Sequence, residues 1–152
     1  MKKLIILFFM IYSNNIFSQN ISEIRAIYFN TTDNISKCNS LKKLLNSFEN
    51  KNNIINAYIG ANTLLYCRYS DNSFKKYSYF KKGKKMIDDA VKLDPFNLEI
   101  KFLRYINQIN APWFLNYKCS IKDDLKFINS NLDLINDESF KKIIVETLKA
   151  YK

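Results

Sequence analysis

Two glycines, Gly60 and Gly83, and two prolines, Pro95 and Pro112, are the only strong breakers in a chain of 152 residues. Tight β-hairpins draw on residues that accept positive φ, so this sequence is a poor fit to a turn-rich sandwich or barrel. Phosphate-cradling loops of the GxxxxGK[ST] or GxGxxG kind need more glycine than this, and neither pattern occurs. Histidine is absent, which removes Ser-His-Asp and Cys-His catalysis and every imidazole metal ligand. Hydrophobic residues make up 47% and aromatics 15%, enough for one packed core at this length.

The apolar residues recur at a period near 3.6 and never settle into sustained alternation. Ile24, Ile27 and Tyr28 mark a first helix that starts near Asn20. Asn34 can cap a second with Ile35, Cys38, Leu41, Leu45 and Phe48 inward. A third runs over residues 54–69, with Ala57, Gly60 and Ala61 as a small strip where another helix can come close. After Ser70 to Ser73, a fourth starts at Phe74 or Ser78 and runs to Leu93. Asp94-Pro95 stops it, because proline cannot continue the ladder. A fifth covers residues 98–109, and Ala111-Pro112 ends it. Ser120 with Asp123 resembles a capping box for a sixth, and Asn136 is expected to cap the seventh. The expected fold is all-α, either an array of TPR-like helical hairpins or a compact orthogonal helical bundle.

The beginning of the chain has the grammar of a signal peptide. Lys2 and Lys3 precede the apolar run Leu4 to Tyr12, and Ser18 offers a small residue for cleavage. Residues 1–18 are therefore read as the signal peptide and 19–152 as a single all-helical domain, periplasmic or secreted. The mature chain is not expected to span a membrane, since the leader is too short and no later run approaches the needed length. Removing Lys2 and Lys3 from the 24 basic residues leaves 22 against 14 acidic ones, a net +8. Cys38, Cys67 and Cys119 are too far apart for CxxC chemistry. In an oxidising compartment one disulfide with one free thiol is open, as is a set of three small core residues.

Gly83, Ile87, Ala90 and Pro95 match the second-helix half of a tetratricopeptide repeat, where small residues let paired helices close up. The first-helix half fits poorly, and no second copy follows at the repeat period. The stretch Lys76 to Gly83, then Ala90 to Pro95, Asn97 to Glu99, Phe102-Leu103-Arg104, Gln108, Asn110, Pro112 and Phe114 to Tyr117 resembles a group of small exported helical proteins from Bacteroidetes. The resemblance covers residues 54–131. It implies a helical fold and an exported compartment, and no reaction.

Three constellations are candidates for function. Lys75, Lys76, Lys81, Lys82, Lys84 and Lys85 lie within eleven residues with Tyr77, Tyr79 and Phe80 interleaved, a pattern that attracts anionic surfaces or else forms a solvated helix face. Glu99, Arg104, Gln108 and Trp113, with Asn107 and Asn110, form either buried polar pairs or the wall of a groove. Trp113 and Phe114 after Pro112 form either a recognition loop or a plug on a helix end. The acidic pairs Asp88-Asp89, Asp123-Asp124 and Asp137-Glu138 point about 100° apart on a helix and do not converge. The last two suit first turns, where negative charge complements the dipole.

No catalytic, cofactor-binding or metal-binding residue is assigned, and no cofactor is expected. The first expectation is a non-enzymatic, exported helical module that presents a groove to a protein or peptide partner. The second is a binder of anionic envelope polymer through Lys75 to Lys85, with nucleic acid disfavoured by export. The third is a small hydrolase built from scattered carboxylates.

Overall fold

A computed structural model describes residues 21–30 and 34–151. The signal-peptide reading of residues 1–18 lies outside the described residues. Residues 21–29 are helical (α1). They are followed by α2 (Ile35–Asn46), α3 (Asn53–Tyr69), α4 (Ser73–Leu93), α5 (Leu98–Ile109), α6 (Ile121–Asn131) and α7 (Glu138–Ala150). Short 3-10 turns at Trp113–Leu115 and Leu132–Leu134 flank α6. There is no strand among the described residues. The protein is all-α, and its helices pack as hairpins: α2 on α3, α3 on α4, α4 on α5 and α5 on α6, with α5 also against α3.

Asparagine punctuates the chain where glycine and proline do not. Asn34, Asn52, Asn72 and Asn97 each sit one residue before a helix, and each side chain accepts from a first-turn amide at 2.8–3.1 Å. A short side-chain acceptor satisfies one of the orphan donors of a helix start, which places these boundaries sharply. Two expectations are corrected. Asp137, rather than Asn136, caps α7, accepting from the Phe140 amide at 3.1 Å. Ser120 precedes α6 but makes no side-chain capping bond, so the capping box is not formed.

The core takes residues from all seven helices: Ile24, Leu41, Tyr58, Ile87, Phe102, Ile128 and Ile144 are representative and fully enclosed. Ile35, expected inward, is exposed because it occupies the first position of α2, outside the part of the helix that α3 covers. The small strip on α3 does admit a neighbour. Gly60 meets Gly83 of α4 so closely that a Cβ on Gly83 would lie 2.6 Å from the Gly60 carbonyl oxygen.

Two buried charge clusters set how the hairpins join. In the first, Arg25 of α1 holds both carboxylate oxygens of Glu99 at 2.6 Å and also pairs with Asp137. The Tyr58 hydroxyl donates to Glu99 at 2.6 Å, and the guanidinium lies 4.3 Å from the centroid of the Phe140 ring. One carboxylate thus ties α1, α3 and α5 together, while Arg25 adds α7. In the second, Arg104 of α5 forks onto Asp124 of α6 at 2.7 and 2.8 Å, with Lys101 at 3.6 Å. Burial opposes charge on both arginines, yet their carboxylate partners hold both more firmly protonated than usual.

Candidate functional site

The first half of α4 stands partly clear of the core. Residues 73–78 are exposed, because α3 covers the helix closely only from Tyr79 onward, through the Gly60–Gly83 contact. Proline ends α5 beyond Ala111, and residues 113–115 fold into a single 3-10 turn. Asn116, at φ 48°, the only non-glycine positive φ among the described residues, then reverses the chain. Asparagine tolerates this left-handed geometry better than most residues. The reversal brings Tyr117 back into the protein, where it is buried against Phe80 in an edge contact.

These elements enclose a groove of about 620 Å³. Leu64 and Leu65 of α3 form one wall, Tyr77 and Phe80 of α4 another, and Phe114 and Leu115 of the turn a third. Its polar lining is Ser73, Asn107 and Asn110, the Cys67 thiol, and the two cations Arg68 and Lys76. Among the described residues no aspartate or glutamate lines it. The volume falls within the range of sites that take a small molecule or a few side chains of a partner. Tyr77 and Phe114 in its lining are exposed, and so are Phe74 and Trp113, which adjoin lining residues in the sequence, Trp113 at 83%. A smaller hollow of about 420 Å³ lies on the other side of the α4 start, between Tyr66, Tyr69, Tyr79, Asp71 and Lys75.

The lysine constellation does not act as one patch. Lys75 lines the smaller hollow and Lys76 the groove. Lys81 lies 5.8 Å from the Tyr77 ring centroid and Lys84 5.0 Å from that of Tyr117, so each stands over an aromatic that lines the groove. Lys85 is paired with Asp89 one turn on, and Lys82 is exposed. Of the six lysines, only Lys76 lines the groove, and Lys81 and Lys84 each lie over one of its aromatics.

The polar constellation on α5 is likewise divided. Glu99 is buried and Arg104 half-buried, each an ion-pair partner in a separate cluster, and neither lines the groove. Gln108 is 1% exposed, and neither of its side-chain polar atoms has a partner among the described residues. Trp113 is solvent-facing, which overturns its reading as a plug on a helix end. Asp124 stands in the first turn of α6 as expected, and it is fully buried under Arg104. Asp88 accepts from the Tyr117 hydroxyl at 3.2 Å, and burial pushes its carboxyl upward.

The three cysteines are free. Cys38 is buried and Cys119 exposed, so the reading of three core cysteines fails for the last. Cys67 is half-buried, donates to the Lys76 carbonyl at 3.4 Å, and has its thiol pKa raised by burial. Among the described residues no group of His, Cys, Asp or Glu is placed to hold a metal ion, and no helix is long and apolar enough to cross a membrane. Neither hollow is lined by a pair of carboxylates, the arrangement on which the hydrolase reading depends.

Sequence reasoning passed over Cys67 and Arg68 as groove residues. Their helical spacing from Leu64 was visible. The turn that folds Phe114 and Leu115 back over them was not, because it depends on one left-handed asparagine. No known protein family, curated protein or solved structure matches the chain.

Proposed function

We propose that the protein is a non-enzymatic interaction module that receives an apolar segment of a partner protein in the groove between α3, the start of α4 and the Trp113–Leu115 turn. The observation that carries this reading is the groove itself: an open, largely apolar cleft with exposed Tyr77 and Phe114 in its lining. Large aromatics left in water on one face are the usual anchors of recognition surfaces, since they bury much area with few rotatable bonds. The supports are rigid. Behind the groove, α3 and α4 are locked by backbone contact at Gly60 and Gly83, and Tyr117 is enclosed. A preformed cleft costs little ordering on binding.

Export to the periplasm or beyond belongs to the same proposal, and so does the likeness to small exported helical proteins. The alternative reading, capture of an anionic envelope polymer along Lys75 to Lys85, draws less support. Lys85 is already paired, and Lys75 and Lys76 serve different hollows. Selection from a random short-peptide library tests the groove. Peptides retained by the wild-type chain should be lost on Leu115→Asp, which puts a charge on the apolar wall. Equal retention by both proteins would remove the groove from the function.

A further inference from the structure

Resting on the groove reading, we infer that the partner segment is acidic as well as apolar, with a carboxylate set against Lys76 while its apolar side chains fill the cleft. The inference follows from charge complementarity. Arg68 and Lys76 line the groove, and Lys81 and Lys84 stand over its aromatics Tyr77 and Tyr117. Half-buried Asp88 accepts from the hydroxyl of the lining residue Tyr117 and lies within the electrostatic reach of Lys84. An apolar cleft whose lining among the described residues holds two cations and no carboxylate penalises a basic segment and favours an acidic one. The chain as a whole carries the same bias, with a formal charge of +10. That bias disfavours a second copy as the occupant. It also disfavours the chain's own first residues, which bring Lys2 and Lys3.

The distribution of cations says how the segment would lie. Lys76 is on the exposed first half of α4, one residue before Tyr77, so a carboxylate beside its ammonium leaves the following apolar side chain over Tyr77 and Phe80. Lys81 and Lys84 lie one and two turns farther along the same helix.

The test pairs a selected peptide with its amide twin, in which every Asp and Glu becomes Asn or Gln. Peptides are selected from a random library on the full chain, and binding is read by intrinsic fluorescence of Trp113, the sole tryptophan. The acidic peptide should bind about tenfold more tightly than its twin, and the gap should close above roughly 0.5 M salt, where exposed charges are screened. Lys76→Glu should remove the preference or reverse it. If acidic and amide forms bind alike and both are lost on Leu115→Asp, the groove stands and the charge inference falls. If neither is sensitive to Leu115→Asp, both readings fall. If selection recovers basic peptides, the inference is overturned outright.

Discussion

Gly60 and Gly83, the only glycines in the chain, face each other across the α3–α4 crossing. A Cβ on Gly60 would lie 2.8 Å from the Gly83 carbonyl oxygen, and one on Gly83 would lie 2.6 Å from that of Gly60. Neither glycine needs its conformational freedom, since neither adopts positive φ. Both are there for closeness. This explains why a sequence so poor in glycine spends both on helix interiors, where each costs about 1 kcal/mol relative to alanine.

Gly83→Ala should therefore destabilise the protein despite its better helix propensity. The obstructing atoms are a backbone oxygen and the Leu64 side chain, and only the latter can turn away. Overpacking of this kind costs about 1–3 kcal/mol. Denaturant unfolding should show a net loss, and Gly60→Ala combined with Gly83→Ala should lose less than the sum, because helices already forced apart leave room for the second methyl. A net gain in stability would mean that the crossing is loose.

Removing one partner from a buried ion pair should cost far more than removing one at the surface. Glu99→Gln leaves Arg25, 13% exposed, with only the shared Asp137 carboxylate, and a loss of about 3 kcal/mol is expected. Glu146→Gln disrupts an exposed pair with Lys142 and should change stability by under about 0.5 kcal/mol. Chemical denaturation of the two variants, side by side, measures the contrast.

Alkaline pH should unfold the protein through its buried tyrosines. Burial, then the neighbouring Glu99 carboxylate, raises Tyr58 well above its ordinary 10.0, and Tyr28 is pushed up to about 12 by burial. Above pH 10 the unfolded chain releases these protons while the folded chain keeps them. Stability is complete below that value and falls as pH rises past it. Tyr58→Phe should be less stable near neutrality, having lost the bond to Glu99, but should decline less steeply above pH 10. Stability curves with parallel slopes would contradict this assignment.

Acid should act through Asp137. The Ser139 hydroxyl is the largest influence holding its carboxyl below the ordinary 3.8, with the Phe140 amide and Arg25 acting in the same direction. A lowered carboxyl pKa gives stability that is complete above the ordinary value and lost as pH falls through the folded one. The stability gap between wild type and Asp137→Asn should therefore be widest near neutrality and narrow below pH 3.8.

Much of the helical order was legible in the sequence. Asparagine before an apolar period marks four of the helix starts, and Asp94-Pro95 marks the end of α4. What could not be read is what the tertiary fold alone brings together. Arg25 and Glu99 are 74 positions apart, and nothing local tells Glu99 that its partner lies on α1. Asp124 has the position of a dipole-complementing charge, and only the packing of α5 on α6 turns it into the buried anion of Arg104. The groove was half visible. The aromatic lysine-rich start of α4 and the Trp113-Phe114 segment both stood out, but as separate features. The backbone reversal at Asn116 is what joins them.

The rate of maleimide alkylation at Cys67, read by mass spectrometry with and without a selected acidic peptide, tests the groove most directly. Cys67 lines the cleft, and exposed Cys119 in the same molecule is the reference. A groove that holds the partner should slow alkylation at Cys67 by about tenfold at saturating peptide while leaving Cys119 unchanged. Unchanged Cys67 reactivity at saturation, or equal slowing at both thiols, would contradict binding in this groove.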